Sequence, residues 1–176
     1  MAIYETAPYE VLKKDGKFEI RSYEELITVG VKENNLVSGN GFGSIFQYIS
    51  GDNENREKIS MTTPVINELN EEGVTTEFVM PRRYNASTLP KPENKNLSIK
   101  KLESRTVLAI TFNGSINDQR LRFYKKLLLD YAKKNSLTTT GIFRLARYNP
   151  PFIPSFLRRN ELLIDLKGYE TNSTSS

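Results

Sequence analysis

The 176-residue sequence contains no cysteine, no histidine and no tryptophan. Without cysteine there is no disulfide framework, and without cysteine or histidine no zinc site of the usual donor sets. A Ser-His-Asp triad is excluded, and the imidazole that most often serves as general base is missing. A metal would have to rely on Met, Tyr, Lys or carboxylates, or arrive inside a ligand. No apolar run approaches the roughly 20 residues that a membrane-spanning helix needs. Residues 1–9 lack a basic region followed by an apolar stretch, so no signal peptide is expected and the cytoplasm is the expected compartment. A concentrated basic face is also lacking. The net charge is only +4, and Lys and Arg are interleaved with Asp and Glu along most of the chain. This is the pattern of solvated surface, and no nucleic-acid partner is expected.

What is present suits one globular core. The hydrophobic fraction is 38% and the charged fraction 26%, and chains of about 100–200 residues usually form one domain. We expect a single domain over residues 1–168 and a small, polar, frayed tail over 169–176.

Alternation marks the strands. Tyr9 to Lys14 reads as a strand, Phe18 to Ser22 and Ile27 to Lys32 alternate apolar and polar residues, and Asp15-Gly16 is a hairpin turn between the first two. Ile59 to Ile66 and Thr75 to Met80 read as strands, and 82–96 as a long proline-bearing connection. Leu97 to Leu102 and Thr106 to Phe112 read as a second hairpin, and Ile142 to Tyr148 and Glu161 to Leu166 as the last strands. Two segments have helical period. Ser38 to Gly51 carries Phe42, Ile45, Phe46 and Ile49 on one face. Asp118 to Asn135 carries Leu121, Tyr124, Leu128 and Tyr131, with Asn117 placed as its N-cap. The order strand–helix–strand–strand occurs twice. An α+β fold follows, with a ligand groove expected where the two pseudo-symmetric halves meet.

Several short runs then carry a family resemblance. Phe42-Gly43-Ser44-Ile45-Phe46-Gln47-Tyr48-Ile49-Ser50-Gly51 leads into Lys58-Ile59-Ser60-Met61-Thr62-Thr63-Pro64-Val65. Phe78-Val79-Met80-Pro81, Leu89-Pro90-Lys91-Pro92, Tyr148-Asn149-Pro150-Pro151 and Arg159-Asn160-Glu161 follow in order. This ordered set resembles the SOUL haem-binding family, related to the effector-binding fold of gyrase-inhibitor-like domains. The resemblance implies a twisted antiparallel β-barrel flanked by two helices. It also implies a non-covalent haem or other tetrapyrrole ligand in an apolar groove. Phe42, Phe46 and Gln47 would line the groove from the first helix, and Phe152 and Ile153 from the loop before the last strand. Positions where haem-binding relatives carry basic residues match Gly39, Gln47 and Ile153 here. Arg158 and Arg159 are the rim cations that would take their place beside the propionates.

Each of these residues also has a plainer reading. The Phe42/Ile45/Phe46/Ile49 stripe is first a core face. Met61 offers a thioether to haem iron, but shares its strand face with Ile59 and Thr63 and reads as packing. Met80 reads the same way, and Tyr48 and Tyr148, which could ligate or hydrogen-bond a ligand, read as structural tyrosines with the hydroxyl at the surface. Glu77 could project into a groove, because it and Phe78 take opposite faces of their strand, but an isolated strand Glu reads as solvated and no acid–base role is expected of it. The loop from Phe152 to Leu157 reads as a flap, a ligand lid, or a contact for a membrane surface or protein partner. We therefore expect a non-enzymatic module that binds an apolar or tetrapyrrole ligand. The alternatives are a hydrolase or effector-binding module for an apolar small molecule, and a protein-interaction module with no ligand.

Overall fold

The Asp15-Gly16 turn folds as its residues require. Gly16 adopts φ +59°, open to glycine without a side-chain clash, and joins strand β2 (Tyr9–Asp15) to β3 (Phe18–Tyr23) in an antiparallel hairpin. The computed structural model describes residues 4–36, 41–149 and 152–170. Within them a short strand β1 (Glu5–Thr6) precedes the hairpin. Then follow β4 (Leu26–Glu33), helix α1 (Gly41–Ile49), β5 (Thr62–Thr63), β6 (Val65–Asn70) and β7 (Gly73–Val79). The second half continues with β8 (Ser98–Leu102), β9 (Arg105–Asn113), α2 (Asp118–Lys134), β10 (Thr138–Arg147) and β11 (Arg159–Lys167). The family-level α+β expectation holds: a large antiparallel sheet and two helices.

Helix α2 starts where the sequence places it. The Asn117 side chain accepts from Arg120 N at 2.9 Å, and Asp118 and Lys133/Lys134 sit at the ends that the helix dipole favours. Helix α1 ends at Ile49, before the expected Gly51, and Ser38, Gly39 and Asn40 lie outside the described residues.

The sheet has nine strands in the order β2-β3-β9-β11-β10-β6-β7-β4-β8. Outward from the central β6–β10 pair the order is β7, β4, β8 on one side and β11, β9, β3 on the other. Each half is thus a strand–helix–strand–strand unit, β4-α1-β6-β7 or β9-α2-β10-β11. Each also lends its preceding strand, β3 or β8, to the other half.

This exchange forces the sheet to curl. β3 and β4 lie six places apart in the order, about 29 Å across a flat sheet at about 4.8 Å per strand. Only Glu24 and Glu25 join them, a reach of about 11 Å. Glu103 and Ser104 make the same crossing between β8 and β9. Tyr23, Leu26, Leu102 and Val107, which flank the two links, share a buried cluster with Ile66, Ala146 and Leu163 inside the curl.

Three expectations change. The sheet is not closed into a barrel: β2 and β8 are edges that do not pair with each other. Both carry paired lysines, Lys13/Lys14 and Lys100/Lys101, which disfavour strand addition. The expected hairpin of Leu97–Leu102 with Thr106–Phe112 does not form, since β8 pairs with β4 and β9 lies between β3 and β11. Its Glu-Ser link has none of the glycine or asparagine that a tight primed turn favours. The single strand expected over Ile59–Ile66 is broken. β5 pairs parallel with β1, whereas β6 pairs with β7 and β10. Pro64, after a cis peptide bond, separates them and has no N–H for a ladder.

Cross-strand partners share a face. One row runs Leu162, Leu145, Asn67, Thr76, and the next runs Arg147, Val65, Phe78, Val29. Leu162 and Leu145 belong to the cluster under α2, and Phe78 and Val29 to the cluster under α1. Both helices therefore cover the outer face of the curl. Between their footprints, on β6, β7 and the end of β10, the outer face turns polar.

Candidate functional site

A cavity of about 410 Å³ lies in this gap. Helix α1 forms one wall. Ile45, Tyr48 and Ile49 are buried against the sheet, and the Tyr48 hydroxyl donates to Pro90 O at 2.6 Å. Anchored in this way, α1 leaves Phe42 and Phe46 exposed at 38% and 56%, with Phe42, Phe46 and Ile49 lining the cavity. Leu36, Met61, Val65 and Tyr4 extend the apolar wall.

The floor is a chain of polar groups. Arg147 Nε donates to Asn67 Oδ1 at 2.8 Å, and Asn67 Nδ2 donates to Thr76 Oγ1 at 2.9 Å. The Thr76 hydroxyl donates to Glu33 Oε2, and Gly41 N donates to Glu33 Oε1 at 2.6 Å. The floor is therefore tied to the first residue of α1. Burial pulls the Arg147 pKa below its ordinary value, with the Glu33 charge opposing the shift and Arg158 adding to it.

Tyr148 closes the β10 end of the cavity and is itself locked. Its hydroxyl donates to Glu161 Oε1 at 2.6 Å. Arg21 grips the same carboxylate with two nitrogens at 2.8 and 2.5 Å, Arg159 Nη2 donates at 2.9 Å and Thr111 at 3.2 Å. Burial raises the Glu161 pKa, but Arg21 and the other donors outweigh it and bring the value down to about 2. Burial and the Glu161 charge push the Tyr148 pKa up. Neither residue is a free acid or base. Glu77 lies with Ile66 and Ala146 on the inner face of the curl, away from the cavity. Burial raises its pKa, partly opposed by Lys100 Nζ at 3.5 Å.

Of the residues expected at the groove, the structure brings Phe42 and Phe46 together in one wall. Gln47 is exposed and does not line the cavity. Phe152 stands 82% exposed, and Ile153 is half-buried with its carbonyl accepting from Arg158 Nε at 2.8 Å. Arg159 lies over the Tyr148 ring at 4.5 Å and pairs with Glu161. Phe152, Ile153, Arg158 and Arg159 are not among the described lining residues. Gly39, Pro150 and Pro151 lie outside the described residues. Phe156 and Leu157 are also exposed, at 72% and 57%.

Tyr4, Glu33, Asn67, Thr76 and Arg147 were not among the expected site residues, and Met61 was expected only to pack. Tyr48 and Tyr148 were expected to hold their hydroxyls at the surface, whereas these bond to Pro90 O and to buried Glu161. One signal was available. In β10, Phe143, Leu145 and Arg147 alternate on one face, so a cation occupies an apolar phase.

Two swapped strand–helix–strand–strand halves, curled around one core with an aromatic-walled cavity at their junction, define an α+β class of fold. The SOUL haem-binding protein family model matches residues 4–165, and the chain belongs to this family. No match was found among curated proteins. Among solved structures the chain is similar to the EcmrR C-terminal domain, at 11% identity and TM-score 0.60, covering 90% of this chain and 98% of that one. A hydrolase from Listeria innocua is similar at 10% identity and TM-score 0.60, covering 86% and 92%. EcmrR in a DNA complex is similar at 12% identity and TM-score 0.61, covering 85% of this chain and 57% of that one. At these identities the likeness is one of fold. Among the described residues no helix is long and apolar enough to cross a membrane, and no cluster of acidic side chains could hold a metal ion.

Proposed function

We propose that the chain binds haem or a related tetrapyrrole, reversibly and without a covalent bond, in the cavity between α1 and the β6–β10 junction, for transport, buffering or sensing. The observation that carries this is the lining: two phenylalanines facing a polar floor, within the range of about 300–1,000 Å³ usual for ligand pockets. A flat ring buries well against aromatic walls. Met61, half-buried in the lining, offers a thioether that suits haem iron, and Tyr4 in the same lining offers a phenol oxygen. Catalysis, the rival reading, needs a free acid–base group. Each oxygen of Glu33 already accepts a hydrogen bond, and Tyr148 is held by Glu161.

Titration with hemin and with metal-free protoporphyrin, followed in the Soret band, tests this. With no imidazole available, ring burial should dominate and the two dissociation constants should agree within a few-fold. A hemin preference of about a hundredfold, worth about 2.7 kcal/mol, would instead make iron coordination the main term. Loss of that preference in Met61→Leu would identify the ligand. Absence of binding by either would reject the reading.

A further inference from the structure

We infer that Arg147 seats an acid group of the ligand inside the cavity, so that the site selects flat apolar carboxylates over their neutral and cationic analogues. The inference rests on the cavity being a ligand site and adds the chemistry it selects. Two charged side chains line the described cavity, Glu33 and Arg147, and they are not equivalent. Glu33 accepts from Gly41 N on one oxygen and from Thr76 on the other, which fixes it in the floor as the far end of the chain that holds Arg147. Arg147 uses Nε on Asn67. Among the described residues its two terminal nitrogens have no hydrogen-bond partner, and they are the pair that takes a carboxylate in parallel. The Asn67–Thr76–Glu33 chain fixes the guanidinium from behind. Of the charges that act on Arg147, Glu33 opposes an incoming anion and Arg158 partly offsets it, so the selection rests on the open end of the guanidinium. Arg159, by contrast, is committed to Glu161. The acid group therefore belongs at the floor beneath Phe42 and Phe46, not at an outer rim.

The test uses pyrenebutyrate, its methyl ester and pyrenebutylamine, three fluorescent probes with the same flat apolar body, alongside protoporphyrin. The parent should bind the acid about tenfold more tightly than the ester and least tightly the amine. The acid preference should collapse in Arg147→Gln and persist in Arg147→Lys, with thermal midpoints recorded for each. If Arg147→Gln does not fold, the ranking in the parent and in Arg147→Lys decides. Equal binding of acid and ester, tightest binding of the amine, or an acid preference that survives Arg147→Gln overturns the inference. Protoporphyrin failing to bind while the acid preference stands removes the tetrapyrrole reading and leaves this one. Failure of every probe removes both.

Discussion

Glu161 is fully buried, yet it is held charged by Arg21, Arg159, Tyr148 and Thr111. A buried carboxylate without partners would neutralise, so the depressed pKa measures how completely it is paired. The consequence for stability follows in sign. A folded-state pKa of about 2 against an ordinary 4.5 means that the contribution is full above the ordinary value and is lost as the pH falls through about 2. That shift corresponds to about 3 kcal/mol. Glu161→Gln keeps the shape but takes the carboxylate from both terminal nitrogens of Arg21, leaving it Glu19 at 3.3 Å on Nε. Breaking a buried pair in this way costs about 3–5 kcal/mol. Urea unfolding at neutral pH should show that loss, and the variant should depend less steeply on pH over the acid range. A variant as stable as the parent at neutral pH, or one with an unchanged acid limb, would show that the cluster is not coupled to folding.

At the scale of elements, α1 divides its apolar stripe between two tasks. Ile45 and Ile49 are buried on the sheet, whereas Phe46 stands half in solvent at the cavity. Phe46→Ala should therefore lose little stability and weaken porphyrin binding about tenfold, the cost of losing roughly one ring's contact. Tyr124 in α2 stacks on Phe112 at 3.9 Å, so Tyr124→Ala should lower stability and leave affinity unchanged. A folded Phe46→Ala protein that binds like the parent would remove α1 as the wall. The stripe itself was legible from period, but which of its residues face a cavity depends on how α1 is tilted by Tyr48 and the sheet, and period does not encode tilt. The longer strands were legible from alternation and α2 from its period and cap, but not β1 or the break at Pro64. The partners of β8 and β9 were not, because pairing across the curl is set by contacts far apart in sequence. The floor lay half in view. Arg147 breaks the apolar phase of β10, but Asn67 and Thr76 acquire meaning only when β6 and β7 bring them side by side.

For the molecule as a whole, the exchanged strands decide how it must fold. The first half supplies β3 to β9, and the second supplies β8 to β4, while β6 pairs with β10 between them. Cutting the chain in the long connection after Met80 would separate all three pairings. A fragment of residues 1–96 would keep the β2–β3 hairpin and the β6-β7-β4 sheet, with no strand joining them. It would also expose Tyr23, Leu26, Ile66 and Val79, which are buried only because the curl is complete. A hairpin and a three-stranded sheet with an uncovered apolar face are marginal in water. The fragment should therefore lack fixed tertiary structure, seen as a collapsed near-ultraviolet dichroism signal. The intact chain should unfold in one transition, with calorimetric and van't Hoff enthalpies equal. Mixing fragment 1–96 with fragment 97–176 should restore the dichroism as the pairings re-form. Two resolved transitions in the intact chain, or a 1–96 fragment that folds alone, would mean that each half owns its core and that the strand exchange is not what couples them.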